Sequence, residues 1–175
     1  TTFIDYDAVP GVDDPDVVAS DFSQTYGYST LGGNDEAVLN GSETTIDKFY
    51  ALSGHSYMRS LGDTHLNYVK GFDSTTGIAS GSGDYAYLYD SDGDDILNAA
   101  PSTTTFSLNP VAGAPVVNTA EVFDRVYAFA SNGGMDQAFL DGTSNDDVFT
   151  GKDDWGLLQD AQKTDYYNYV RFFDE

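Results

Sequence analysis

The sequence predicts an all-β fold assembled from tandem repeats, and three observations carry that expectation. First, two stretches repeat one order of residue types. Phe72-Asp73-Ser74, Gly83-Asp84-Tyr85-Ala86-Tyr87-Leu88 and Gly93-Asp94-Asp95-Ile96-Leu97 are answered by Phe123-Asp124-Arg125, Gly133-Gly134-Met135-Asp136-Gln137-Ala138-Phe139-Leu140 and Asn145-Asp146-Asp147-Val148-Phe149. Second, apolar and polar residues alternate with a period of two through Tyr85 to Leu88 and Val126 to Ala130, as half-buried strands require. Third, Gly, Asp, Asn and Ser fill the joints, and no apolar stripe is long enough to sustain a helix.

The chain divides accordingly. Residues 1–20 read as an acidic lead-in, with Asp13, Asp14 and Asp16 around Pro15. Residues 21–71 form a degraded first unit, recognisable in Asp21-Phe22, Tyr26 to Thr30 and Gly32-Gly33-Asn34-Asp35-Glu36-Ala37-Val38-Leu39. Residues 72–122 and 123–172 are the second and third units. In both, one Asp precedes another by eleven positions, Asp84 to Asp95 and Asp136 to Asp147. Asn67-Tyr68-Val69-Lys70-Gly71-Phe72-Asp73 matches Asn168-Tyr169-Val170-Arg171-Phe172-Phe173-Asp174 at constant offset, so residues 173–175 read as the start of a fourth unit. Short apolar pairs at Val148-Phe149 and Leu157-Leu158 add further strands.

Ala37 and Leu39, Ala86 and Leu88, and Ala138 and Leu140 each share one face of a strand, small then large. That alternation suits a narrow core and favours a β-solenoid, parallel β-helix or β-roll-like, with about two coils per unit. A β-sandwich or barrel of short strands is the alternative, and periodicity does not separate the two.

Composition excludes several classes. The 175 residues carry 29 acidic against 7 basic side chains, a net charge of -22, yet the acids are interleaved with 40% hydrophobic residues that include 13 Tyr and 11 Phe. The charge therefore belongs to a folded surface and not to a disordered tail. Seven dispersed basic residues on such a background argue against a nucleic-acid partner. No run of about 18 apolar residues occurs, so membrane insertion is not expected. The absence of cysteine removes disulfides and thiolate metal sites. The first residue is Thr, which reads as a removed signal peptide or a cut fragment.

The phrases Gly-Gly-Asn-Asp-x-Ala-x-Leu at 32–39, Tyr85-Ala86-Tyr87-Leu88-Tyr89-Asp90-Ser91-Asp92-Gly93-Asp94-Asp95 and Phe123 to Ala130 resemble haemolysin-type, calcium-binding-like repeats of very large secreted bacterial proteins. They are loosely similar to RTX β-roll repeats, in which turn aspartates hold calcium. The resemblance implies an extracellular or cell-surface location and calcium as the cofactor. It differs from RTX in its spacing of eleven where that family has nine, and in a long tail on each unit.

Dense acidic turns point to a cation by physics as well. Two carboxylates about 4 Å apart repel by roughly 1 kcal/mol in water and about 4 at an effective dielectric of 20. The candidate metal ligands are Asp84, Asp90, Asp92, Asp94 and Asp95 in the second unit, and Asp136, Asp141, Asn145, Asp146 and Asp147 in the third. The bland reading is solvated turn aspartates that accept bonds from backbone amides. An EF-hand is excluded, because the glycine is misplaced and Pro101 stands at the twelfth position. Tyr85, Tyr87 and Tyr89 face away from the core as a possible glycan contact, or equally as a cross-strand ladder that stabilises the sheet. His55 and His65 suggest no catalysis, since His65 corresponds to Tyr166 at the constant offset and a histidine site would exist in one unit only. No catalytic residue is assigned. The expected role is a non-enzymatic structural or adhesive repeat module, calcium-stabilised, associating with itself or with neighbouring repeats. A polymerising filament subunit and a carbohydrate-binding module with polysaccharide as partner are the alternatives.

Overall fold

The computed structural model describes residues 2–6, 23–30 and 33–175, and every regular element among them is a β-strand. Asp13, Asp14, Asp16, Asp21, Phe22 and Gly32 lie outside the described residues. Within the expected acidic lead-in, Thr2–Tyr6 forms β1, which pairs in parallel with β2 (Gln24–Ser29).

The strands of each unit follow one plan. Residues 21–71 supply β2, β3 (Glu36–Asn40), β4 (Asp47–Ala51), β5 (His55–Ser60) and β6 (Leu66–Lys70). Residues 72–122 supply β7 (Ser74–Ile78), β8 (Tyr85–Tyr89), β9 (Ile96–Ala99), β10 (Thr103–Leu108) and β11 (Val116–Glu121). Residues 123–172 supply β12 (Arg125–Phe129), β13 (Gln137–Leu140), β14 (Asp147–Lys152), β15 (Trp155–Asp160) and β16 (Tyr167–Arg171). The larger sheet has ten strands in the order β1-β2-β6-β5-β4-β8-β12-β16-β15-β14; the smaller has six in the order β13-β9-β10-β11-β7-β3. In every unit the first strand lies in one sheet, the second crosses to the other, and the last three return as an antiparallel meander. The two sheets exchange roles in the middle unit, whose meander lies in the smaller sheet.

Contacts between units are parallel, β4 with β8, β8 with β12, β3 with β7 and β9 with β13, and within each unit the first strand also pairs in parallel with the last, β2 with β6, β7 with β11 and β12 with β16. The expectation of about two coils per unit is thus replaced by a crossing followed by a meander. The physical reason is the unit's tail. Its joints at 52–54, 100–102 and 153–154 are two or three residues long, which closes an antiparallel hairpin but cannot carry a parallel crossover. The result is two mixed sheets facing each other across one core, sandwich-like and with no closed barrel.

Both sheets supply that core. Phe49, Ala86, Leu88 and Ala128 from the larger sheet meet Leu97, Phe106, Leu108 and Ala120 from the smaller, all at most 1% exposed. Each fully buried Leu or Phe contributes about 1.5–3 kcal/mol relative to exposure. Small residues let the sheets approach: a Cβ at Gly77 would stand 2.6 Å from the Phe49 ring. The Ala-x-Leu pairs face inward as their spacing predicts; Ala37 and Leu39, and Ala86 and Leu88, are buried, while Ala138 and Leu140 on the outermost strand of the smaller sheet are half-buried.

Candidate functional site

Two features gather the polar chemistry: a ladder of aspartates between the units, and the outer face of the larger sheet.

The ladder forms because each Asp sits just before or after a strand, where a neighbouring turn offers unpaired amides. Asp84, fully buried, accepts the Asp47 amide at 2.7 Å and the Gly81 amide at 3.2 Å, and its own amide donates to Asp124 Oδ2 at 3.1 Å. Asp90 accepts the Asn132 amide at 2.6 Å and Asn132 Nδ2 at 2.9 Å. Asp95 accepts from the Ser91 amide (2.6 Å), Ser91 Oγ (2.8 Å) and the Asn109 amide (2.6 Å). The Asp95 amide donates to Asp136 Oδ1 at 2.9 Å, and the Asp136 amide to Asp174 Oδ2 at 2.8 Å. Exposed Asp92 and Asp94 accept the amides of Val111 and Met135, both at 2.9 Å. Asp147 accepts Thr143 at its amide (2.8 Å) and Tyr166 at its hydroxyl (2.7 Å), while Asp141, Asn145 and Asp146 lie exposed on the same loop.

These carboxylates sit where a metal was expected, but their oxygens accept N–H and O–H groups. Calcium takes six to eight oxygen ligands, and among the described residues no group of three or more His, Cys, Asp or Glu side chains converges as metal ligands would. Burial and crowding appear in the titration. Burial, followed by the charges of Asp95, Asp90 and Asp174, pushes Asp136 up to about 6 against the bond from the Asp95 amide. Burial likewise raises Asp90 and Asp47. The Tyr166 hydroxyl holds Asp147 below the usual range.

The outer face of the larger sheet has a different composition. From β2 to β14 in sheet order, its outward positions hold eleven of the 13 tyrosines, the single Trp and six of the seven basic residues, and no Asp or Glu. Strand register lines up Tyr26, Tyr68, Tyr57, Tyr50, Tyr87, Tyr127 and Tyr169 in one row across seven strands. In the middle of that row the rings stack face to face, with centroids 4.7 Å apart for Tyr50–Tyr57, 4.9 Å for Tyr50–Tyr87 and 5.3 Å for Tyr87–Tyr127. Tyr85 and Tyr89 flank Tyr87 on either side. Arg59 lies over Tyr50, and Arg125 over Tyr85 and Tyr167. His55 belongs to the same face, 5.5 Å from Tyr68, and burial lowers its pKa. The basic residues are therefore gathered on one face, contrary to the dispersal that their sequence positions suggested, because alternate residues of every strand point the same way.

His65 borders a cavity of about 160 Å³ together with Asp47, Asn40, Ser60 and Asn67, on the inward side of the sheet. Compared with family models, curated proteins and solved structures, the chain matches none. Among the described residues no helix is long and apolar enough to cross a membrane.

Proposed function

We propose that this chain is a non-enzymatic, structural and adhesive repeat module of a secreted or cell-surface protein, in which repeats continue one another by parallel strand pairing. One observation carries the reading. Asp73 and Ser74 begin β7 on β3 by donating their amides to the Asp35 carbonyl, while the Asp35 amide donates to Asp73 Oδ2 at 2.8 Å. Asp174 and Glu175 make the same set on Asp136, with the Asp136 amide on Asp174 Oδ2 at 2.8 Å. The contacts that open one unit thus recur at residues 173–175, where Phe173 packs against the Phe106 ring at 5.7 Å.

Where repeats are joined through neighbour contacts, stability is approximately a sum of unit terms and neighbour terms. A second copy of residues 75–175 appended after Glu175 should therefore raise the melting temperature, because the half-buried Ala138 and Leu140 gain cover. An unchanged melting temperature would count against the module reading. The filament form of the proposal draws on Phe149, which points toward the smaller sheet yet is 63% exposed on the outermost strand β14. Phe149→Asp should abolish any ordered polymers seen by electron microscopy. Calcium stabilisation rests on the net charge of -22, since the buried carboxylates are engaged. It predicts a melting temperature in millimolar calcium above that in chelator with matched sodium chloride.

A further inference from the structure

We propose that the outer face of the ten-stranded sheet is a docking surface for a carboxylated polysaccharide, a linear chain of uronate-type sugars lying across the strands along the tyrosine row. This stands independently of the module reading.

Charge complementarity is the first argument. In a chain of net charge -22, six of seven cationic side chains lie on this face, and its outward positions carry no carboxylate. Arg59 and Arg171 are tied to rim acids, Asp63 at 3.4 Å and Asp154 at 3.0 Å. Lys48, Lys70, Arg125 and Lys152 form no ion pair with a described residue; the three lysines are available to an anion, and the Arg125 charge, held over the Tyr85 and Tyr167 rings, is not neutralised by a carboxylate. At physiological ionic strength the screening length is about 8 Å, which limits the reach of the acidic turns at the sheet's ends.

Geometry selects the kind of anion. The cations flank the tyrosine row on both sides: Lys48, Arg59 and Arg125 on one, Lys70, Arg171 and Lys152 on the other. From β2 to β14 the face spans nine strands, roughly 38 Å at about 4.8 Å per strand. The half-buried rings, stacked at 4.7–5.3 Å, cover each other's faces. Covered faces cannot receive a nucleobase or a sugar ring by stacking, which disfavours single-stranded nucleic acid. A row of phenol hydroxyls at strand spacing instead suits a polymer rich in hydroxyl and carboxylate groups, whose sugars repeat at a similar interval. The chain itself shows the chemistry, in Tyr166 donating to the Asp147 carboxylate at 2.7 Å. Guanidinium groups match carboxylates with two parallel bonds. The stacked rings are rigid before a ligand arrives, so little side-chain freedom is lost on binding.

The test is binding of the full chain to immobilised polygalacturonate, dextran and dextran sulfate at physiological salt, with chelator present. The expected result is saturable binding to polygalacturonate, no binding to dextran, and at least a tenfold loss in the double variant Lys48→Gln/Arg125→Gln. Tyr87→Phe, which keeps the ring stack and removes one hydroxyl, should weaken binding severalfold at unchanged melting temperature. Thr76→Ala/Thr119→Ala on the outer face of the smaller sheet should bind as the parent does. Four results overturn the proposal: no binding to polygalacturonate, equal binding to dextran, binding only to dextran sulfate, or affinity unchanged in Lys48→Gln/Arg125→Gln. Binding that appears only with calcium also overturns it, since the acidic turns would then be bridging. So does self-association lost in the same variant without glycan binding, which would make a second copy the occupant.

Discussion

Replacing Asp136 by Asn should stabilise the protein at neutral pH, although Asp136 is buried and hydrogen-bonded. The side chain is 2% exposed, and its Oδ1 accepts the Asp95 amide at 2.9 Å. Its carboxyl is pushed from 3.8 up to about 6, by burial first and then by Asp95, Asp90 and Asp174. A folded-state pKa above the unfolded one means that ionisation opposes folding. The penalty is fully present well above pH 6, is relieved as pH falls through 6, and is gone below about 4. A displacement of about two units corresponds to at most about 3 kcal/mol. Asn keeps an oxygen for the Asp95 amide and removes the charge, so a gain of about 1–3 kcal/mol is expected at pH 7, shrinking to near zero by about pH 4. In a domain of 150–250 residues that is roughly 2–4 °C of melting temperature per kcal/mol. Asp95→Asn should do the opposite and destabilise by about 1–3 kcal/mol, because both of its oxygens accept hydrogen bonds and an amide NH2 would face the Ser91 or Asn109 amide. Urea denaturation of the parent and both variants at pH 7 and pH 5, in chelator, reads the two signs. A loss of stability in Asp136→Asn at pH 7, with a parent that gains nothing between pH 7 and 5, would refute the reasoning.

Other consequences follow from single contacts. Phe49→Ala should cost about 3–5 kcal/mol in chemical denaturation, since the ring is fully buried and stacked on Phe123 at 6.0 Å. Gly134→Ala should lower the melting temperature by more than a surface change does, because Gly134 has φ +103 and its added Cβ would meet the Gly93 carbonyl. Tyr166→Phe removes the hydroxyl that holds Asp147 below the usual carboxylate range, so the Asp147 titration followed by NMR should move upward. The stability that the lowered Asp147 pKa contributes, full above the unfolded carboxylate pKa and lost as pH falls through the folded one, should then be smaller than in the parent.

The sequence by itself determined that every element is a strand and which side of each strand faces the core. Period-two alternation requires this, because a slip of one residue would turn every Tyr outward-to-inward and every Leu inward-to-outward. It also held the clue to the cationic face. Lys48-Phe49-Tyr50, Tyr57-Met58-Arg59, Tyr68-Val69-Lys70, Arg125-Val126-Tyr127 and Tyr169-Val170-Arg171 each set an aromatic and a cation two positions apart around an apolar residue. Counting basic residues along the chain hid that pattern. Only the tertiary structure decided which strands lie side by side. Tyr50, Tyr87, Tyr127 and Tyr169 come from distant parts of the chain and become one row through parallel pairing, whose crossovers leave no local signature. The aspartates were legible as turn residues, but their partners were not. Asp84 meets Asp47 and Asp124, and Asp136 meets Asp95 and Asp174, across separations near forty residues that loop chemistry alone does not specify. The turn aspartates that read as candidate calcium ligands act in the fold as hydrogen-bond acceptors, Asp84, Asp90, Asp94 and Asp136 for backbone amides of a neighbouring unit and Asp92, Asp95 and Asp147 for groups of their own, because a buried amide must be paired wherever the stacking places it.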